Sequence, residues 1–130
     1  MCPAYFAYLF TGAITVVVLF QFALMCGMPW GHLAMGGRYP GRFPTALRVA
    51  AFIQSVVLSS FAVVTLVKAE VLWTQYAHIA EVAIWPVTIV SGLSLIMNLA
   101  TPSKWERILW APVASVMLLS SGWLAMQGAL

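Results

Sequence analysis

The chain has 130 residues, of which 63% are hydrophobic and 7% charged. Soluble domains carry about 25% charged residues. Six Lys or Arg and three Asp or Glu cannot clothe so small a globule in a polar skin. An ordinary water-soluble domain, a disordered tail and a nucleic-acid module with a basic face are all excluded, so nucleic acid is not an expected partner.

The charge map predicts how the chain is organised. No Asp, Glu, Lys or Arg occurs over 1–37, 49–67, 82–103 or 108–130. Each run reaches the roughly 17–25 apolar residues that a membrane-spanning helix needs. The predicted fold class is all-α: an integral membrane four-helix bundle made of two hairpins, with 1–130 a single transmembrane domain.

The first helix is expected over about Tyr5 to Met28, with Pro3 before it and Gly27, Pro29 and Gly31 ending it. Thr11, Thr15 and Gln21 interrupt it mildly. Its long apolar start with no basic region before it reads as a retained helix, not a cleaved signal. Cys2 and Cys26 fall at its opposite ends, which argues against a bridge between them. Residues 29–44 follow as the one long connection. Pro29, Pro40 and Pro44 with Gly31, Gly36, Gly37 and Gly41 break any continuous helix there.

The second helix is expected over Thr45 to Val67, with Gln54, Ser55, Ser59 and Ser60 as its polar members. A short link holding Trp73 and Tyr76 leads into the third, over His78 to Leu99, which Pro86 should kink. Residues 100–103 form a tight turn. Ser103 and Glu106 then match a capping box opening the fourth helix, over Lys104 to Met126, where Pro112 is a second kink candidate. Ser91, Gly92 and Ser94, with Ala111, Ser115, Ser121, Gly122 and Ala125, supply small residues for close helix contact.

Orientation follows from the basic residues. Four spans put the 29–44 and 100–103 loops on one side, with Arg38, Arg42, Arg48, Lys104 and Arg107, against Lys68 alone on the other. The positive-inside rule makes those loops cytoplasmic and both termini external.

Several residues carry possible chemistry, each with a plainer alternative. In the first loop, Arg38, Arg42 and Arg48 beside Trp30, His32, Tyr39 and Phe43 suit an anionic headgroup or phosphate, with Gly36 to Arg38 offering backbone N–H groups. The same arginines also serve simply as topology anchors, each drawn to an anionic lipid surface. Glu106 pairs either with Arg107 or with an arginine of the first loop, tying the two loops together, or else favours the helix dipole at a solvated start. Glu81 lies about one turn inside the third helix, with His78 three residues earlier on the same face. That pair is either a proton or cation site or a hydrogen-bonded couple at the water boundary. Gln54 and Asn98 complete the intramembrane polar candidates.

No metal or other cofactor is expected. Cys2, His78, Glu81 and Met126 share the outer end, but only His78 and Glu81 have a spacing that aims two ligands together. His32 and His78 fall on opposite sides, so one chain cannot ligate haem between them. There is no Gly-x-Ser-x-Gly, His-Glu-x-x-His, phosphate loop or Cys-x-x-Cys, and no catalytic residue is assigned.

The run from Pro29 to Gly37, then Pro44 and Arg48, resembles a family of small, uncharacterised bacterial inner-membrane proteins with four transmembrane helices. So do Asn98 to Ser103, Glu106-Arg107 and Trp110 to Val113, and the likeness spans nearly the whole chain. It implies a multi-pass protein of the bacterial cytoplasmic membrane, with both termini periplasmic and the two cytoplasmic loops as its characteristic feature; it implies no activity. The expected function is non-catalytic: binding or passing a small ligand or ion, as a homo-oligomer for any transport path. Two alternatives are an accessory subunit of a larger membrane complex and an enzyme modifying lipid headgroups at the cytoplasmic loops.

The orientation is testable with the native thiols. In a Cys26→Ala chain, Cys2 is expected to react with a membrane-impermeant maleimide added to intact spheroplasts. A Lys104→Cys, Cys2→Ala, Cys26→Ala chain is expected to react only after permeabilisation. The opposite pattern reverses the orientation.

Overall fold

The structure is a computed structural model that describes residues 3–34 and 41–129. Four helices make up most of it: α1 (Pro3–Met25), α2 (Thr45–Lys68), α3 (Ala77–Ala100) and α4 (Lys104–Ala129). Single 3-10 turns at Gly31–Leu33 and Thr74–Tyr76 lie in the first and second connections. No strand occurs among the described residues. All four helices are long and apolar enough to cross a membrane. At about 1.5 Å per residue they measure roughly 35–39 Å, more than the ~30 Å of a bilayer's hydrocarbon core.

The helix ends depart from expectation by one to three residues, for local reasons. α1 stops at Met25 and not at Met28. There the Met28 N–H donates to the Ala23 carbonyl at 3.0 Å and the Gly27 N–H to that of Leu24 at 3.1 Å. With Gly27 at φ +90°, this is a Schellman stop, in which a left-handed residue turns the chain back onto the last orphan carbonyls. α2 ends at Lys68 by the same device. Val71 N–H donates to the Leu66 carbonyl and Glu70 N–H to that of Val67, both at 3.0 Å. Here the left-handed position holds Glu70, at φ 60°, where a side chain is strained. α3 gains one residue at each end of the expected span, and α4 runs on to Ala129. Both continue through their internal prolines, Pro86 and Pro112.

The helices form a ring in chain order, with α4 closing against α1. The α3–α4 contact is the most extensive and the α2–α3 contact the least among neighbours. Small residues set the first of these. A Cβ on Gly92 would stand 3.6 Å from Leu118, and one on Gly122 3.8 Å from Thr88, so each glycine admits the facing helix closely. Phe10, Ile14, Leu58, Ile84, Val87, Met117 and Leu124 fill the centre. The hydroxyls buried there are satisfied inside their own helices: Ser55, Thr65, Ser91 and Ser121 each donate to a carbonyl three or four residues earlier. The outside is apolar instead. Val82 is 73% exposed and Leu119 71%.

Replacing the strained acid tests the second stop. Glu70→Gly is expected to raise stability by about 1 kcal/mol, the left-handed penalty less the extra freedom of glycine in the unfolded chain. Thermal unfolding in mild detergent reads the change, and a loss of stability contradicts the assignment.

Candidate functional site

The first and third loops meet at one end of the bundle, and the tie between them uses backbone oxygens. Gly31 N–H donates to the Gly41 carbonyl at 2.9 Å, drawing the two ends of the first loop together. From the facing side, the Ser103 hydroxyl donates to the His32 carbonyl at 3.1 Å. The Trp110 indole N–H donates to the Leu33 carbonyl at 2.8 Å. Trp110 also meets the Phe20 ring edge-on, with centroids 4.8 Å apart, and Trp30 lies parallel to Phe20 at 6.5 Å. Loop, α1 and α4 thus lock through one aromatic trio.

Ser103 caps α4 as its spacing from Glu106 predicts. The Glu106 N–H donates to the Ser103 hydroxyl oxygen at 3.3 Å. The carboxylate of Glu106 does not return the bond directly. It accepts from the Thr101 hydroxyl at 3.2 Å, and the Ser103 N–H donates to that same hydroxyl at 3.3 Å. The capping box therefore closes through Thr101, which is buried. Arg107 donates from Nη1 to the Thr101 carbonyl at 2.8 Å. This fixes the turn 101–103 from both sides.

Two arginines gather at the C-terminal end of α1. Arg48 Nε donates to the Met25 carbonyl at 2.7 Å. Its cation faces the negative end of the helix dipole and satisfies a carbonyl that α1 leaves open. A Cβ on Gly27 would lie 3.8 Å from Arg42 Nε and 3.8 Å from an Arg48 amino nitrogen. Both guanidinium groups therefore overhang this glycine.

Beneath the loops lies a cavity of about 330 Å³, walled by all four helices and the first loop. That is at the lower end of the ~300–1,000 Å³ usual for ligand pockets. Val17, Phe20 and Leu24 of α1, Leu58 of α2, Val113 and Met117 of α4, and the buried loop residue Phe43 give it apolar walls. Its polar members are Gln21, Gln54, Ser94, Asn98, Glu106 and Trp110. Several are already engaged: Asn98 donates to the Ser94 carbonyl at 2.7 Å, Trp110 to Leu33, and Glu106 accepts from Thr101. Gln21 is different. It is 8% exposed, and its amide makes no hydrogen bond among the described residues. The exposed lining residues, Ala50, Gln54 and Met97, all belong to α2 and α3. The mouth of the cavity is therefore between those two helices, the pair that packs least.

Of the residues singled out in the sequence, Gln54, Asn98 and Glu106 come together in this wall. Trp30, Arg42, Arg48 and Arg107 surround its loop end without lining it. His32 lies on the surface with its carbonyl in the loop tie, beside a shallow groove with Trp105 and Pro112. Arg38, Tyr39 and Cys2 lie outside the described residues. His78 and Glu81 are exposed near the far end of α3, away from the cavity. Among the described residues no three His, Cys, Asp or Glu side chains gather as a metal site would need. Gln21 and Trp110 are the additions that sequence reasoning did not name as site candidates, and Phe43, expected among the loop's headgroup-facing aromatics, instead lines the cavity. Gln21 had a signal: it shares a helical stripe with Val17, Phe20 and Leu24, so an amide interrupts an apolar face. No protein-family model matches the chain, and neither a curated protein nor a solved structure matches it.

The loop tie predicts a measurable cost. Ser103→Ala removes the α4 cap and the bond to the His32 carbonyl together and is expected to destabilise the protein by about 1–2 kcal/mol. Ser103→Thr should retain most of it. Unfolding in detergent compares the three, and an unchanged alanine variant contradicts the role.

Proposed function

We propose that this chain is a multi-pass protein of the bacterial cytoplasmic membrane that binds a small ligand inside its own four-helix bundle, without catalysing a reaction on it. The lipid bilayer is its solvent, the basic loops face the cytoplasm and both termini face the periplasm. The apolar exterior and the sparse, one-sided charge support this placement. The observation that carries the function is the cavity. It is concave, mostly apolar and furnished with a few inward polar groups, the usual constitution of a small-molecule site. A closely packed bundle has little room for such a space by accident, since protein interiors leave few voids larger than a water.

Ligand binding of this kind needs one chain only. Passage of a ligand across the membrane would need a homo-oligomer or a larger membrane complex, because the cavity lies at one end of the bundle. Arg42 and Arg48, overhanging Gly27 at the cytoplasmic end, add attraction for anionic lipid at the surface and help hold the bundle at its depth.

Filling the cavity separates a binding site from a packing defect. Ala51 is buried and lines the cavity, so Ala51→Phe projects a ring into it. Native mass spectrometry of the wild-type protein in mild detergent is expected to show a retained small-molecule adduct. Ala51→Phe should lose that adduct while keeping its thermal stability. Absence of any adduct from both proteins, with Ala51→Phe more stable than wild type, identifies the space as an empty void and removes the proposal.

A further inference from the structure

The cavity's polarity is graded along the bundle. Counted along the helices at about 1.5 Å per residue, Gln21 lies roughly 6 Å from the loop end of α1 and Gln54 roughly 14 Å from that of α2. Leu58 and Met117, at the floor, lie about 20 Å in from the starts of α2 and α4. Polar groups thus lie within about 14 Å of the loop end, and hydrocarbon alone lines the deepest part. Polarity falls inward from the loop end, as it does from a bilayer's surface toward its middle. The mouth adds direction, since among the described residues the exposed lining lies between α2 and α3, on the side of the bundle.

The polar groups also select the head. Gln21 and Gln54 carry primary amides with no hydrogen-bond partner among the described residues. The Gln21 side chain is largely buried and lines the cavity, so its amide is placed to bond a ligand there. An amide both donates and accepts, which matches a carbonyl or hydroxyl. No Lys, Arg or His occurs among the described lining residues, and the one charged lining residue is the acid Glu106. An anionic head would meet the Glu106 carboxylate with no cation in the described lining to offset it.

Resting on the reading of the cavity as a ligand site, we propose that its ligand is an uncharged amphiphile. The hydrogen-bonding head, a hydroxyl or carbonyl, is held by Gln21 and Gln54, and the hydrocarbon chain leaves between α2 and α3 into the bilayer. Monoacylglycerols and long-chain alcohols have this chemistry. Glu106 holds the turn above the head through its bond with the Thr101 hydroxyl.

The test uses Trp110, whose ring lines the cavity, as the reporter. A monoacylglycerol with a dibrominated acyl chain is titrated into the full-length protein in mild detergent. Quenching of Trp110 is the difference between wild type and Trp110→Phe. The expected result is saturable quenching that needs about tenfold more probe in Gln21→Leu or Gln54→Leu, one hydrogen bond lost in each. Gln54 is exposed at the mouth, so its variant keeps the test valid should Gln21→Leu fold poorly. The ionised fatty acid with the same brominated chain is expected to bind at least about tenfold more weakly. Equal or tighter binding of the fatty acid overturns the inference about the head and leaves the ligand site standing. If neither probe quenches Trp110 specifically while native mass spectrometry still finds an adduct, the ligand is not an amphiphile and the inference falls alone. With no quenching and no adduct, the cavity holds water, and both the inference and the ligand site fall.

Discussion

An apolar exterior leaves the polar groups of the described residues to find their partners within the fold, and most of them do. That constraint organises the rest. Water cannot serve the hydroxyls of Ser55, Thr65, Ser91 and Ser121, so each turns back to its own helix. Helix ends obey the same demand. α1 closes its carbonyls with a glycine turn and with Arg48; α4 opens on Ser103, Thr101 and Glu106 acting as one cap. Outside this pattern among the described residues stand the Thr11 hydroxyl, which is buried without a partner, and the amides of Gln21 and Gln54, both of which line the cavity. The two amides are the reason to treat the cavity as a place something occupies.

The geometry of the ring explains where that place is. α3 and α4 meet along small residues and pack closely. α2 and α3 are joined by a short link at the far end and make the least contact of any neighbouring pair. Space therefore opens between them toward the loop end, and the first loop roofs it with Phe43 and Leu33. The aromatic trio of Trp30, Phe20 and Trp110 stiffens this roof. One edge-on and one parallel ring contact hold the trio, so the cavity's upper wall is set by the same contacts that join loop to bundle.

Much of the architecture was legible in the sequence, because long charge-free runs and Pro- or Gly-rich breaks are strong signals. The helix starts at Thr45 and Lys104 stand where Pro44 and the Ser103–Glu106 spacing put them. The stop of α1 was misplaced by three residues, because Gly27 ends a helix in the left-handed conformation and not as a mere interruption. Glu70 gave no hint of its role, since an acid at a left-handed stop has no sequence signature. Within the candidate site, Gln54, Asn98 and Glu106 were visible as polar residues in apolar surroundings. The loop arginines were visible too, but charge pattern alone could not say that Arg48 serves an α1 carbonyl. Phe43 was read with the headgroup-facing aromatics and is instead buried under the loop. Only the packing of four helices decides which side of such a loop faces inward.

The knot that joins the two basic loops grips the main chain at His32 and Leu33 and leaves their side chains out of it. The letter at His32 can drift among descendants of this chain without loosening the junction, while Leu33 is held by its separate place in the cavity roof. Ser103 and Trp110, which supply the donors, have no such licence. Kinship in this lineage would accordingly be easier to trace on the side that grips than on the side that is gripped.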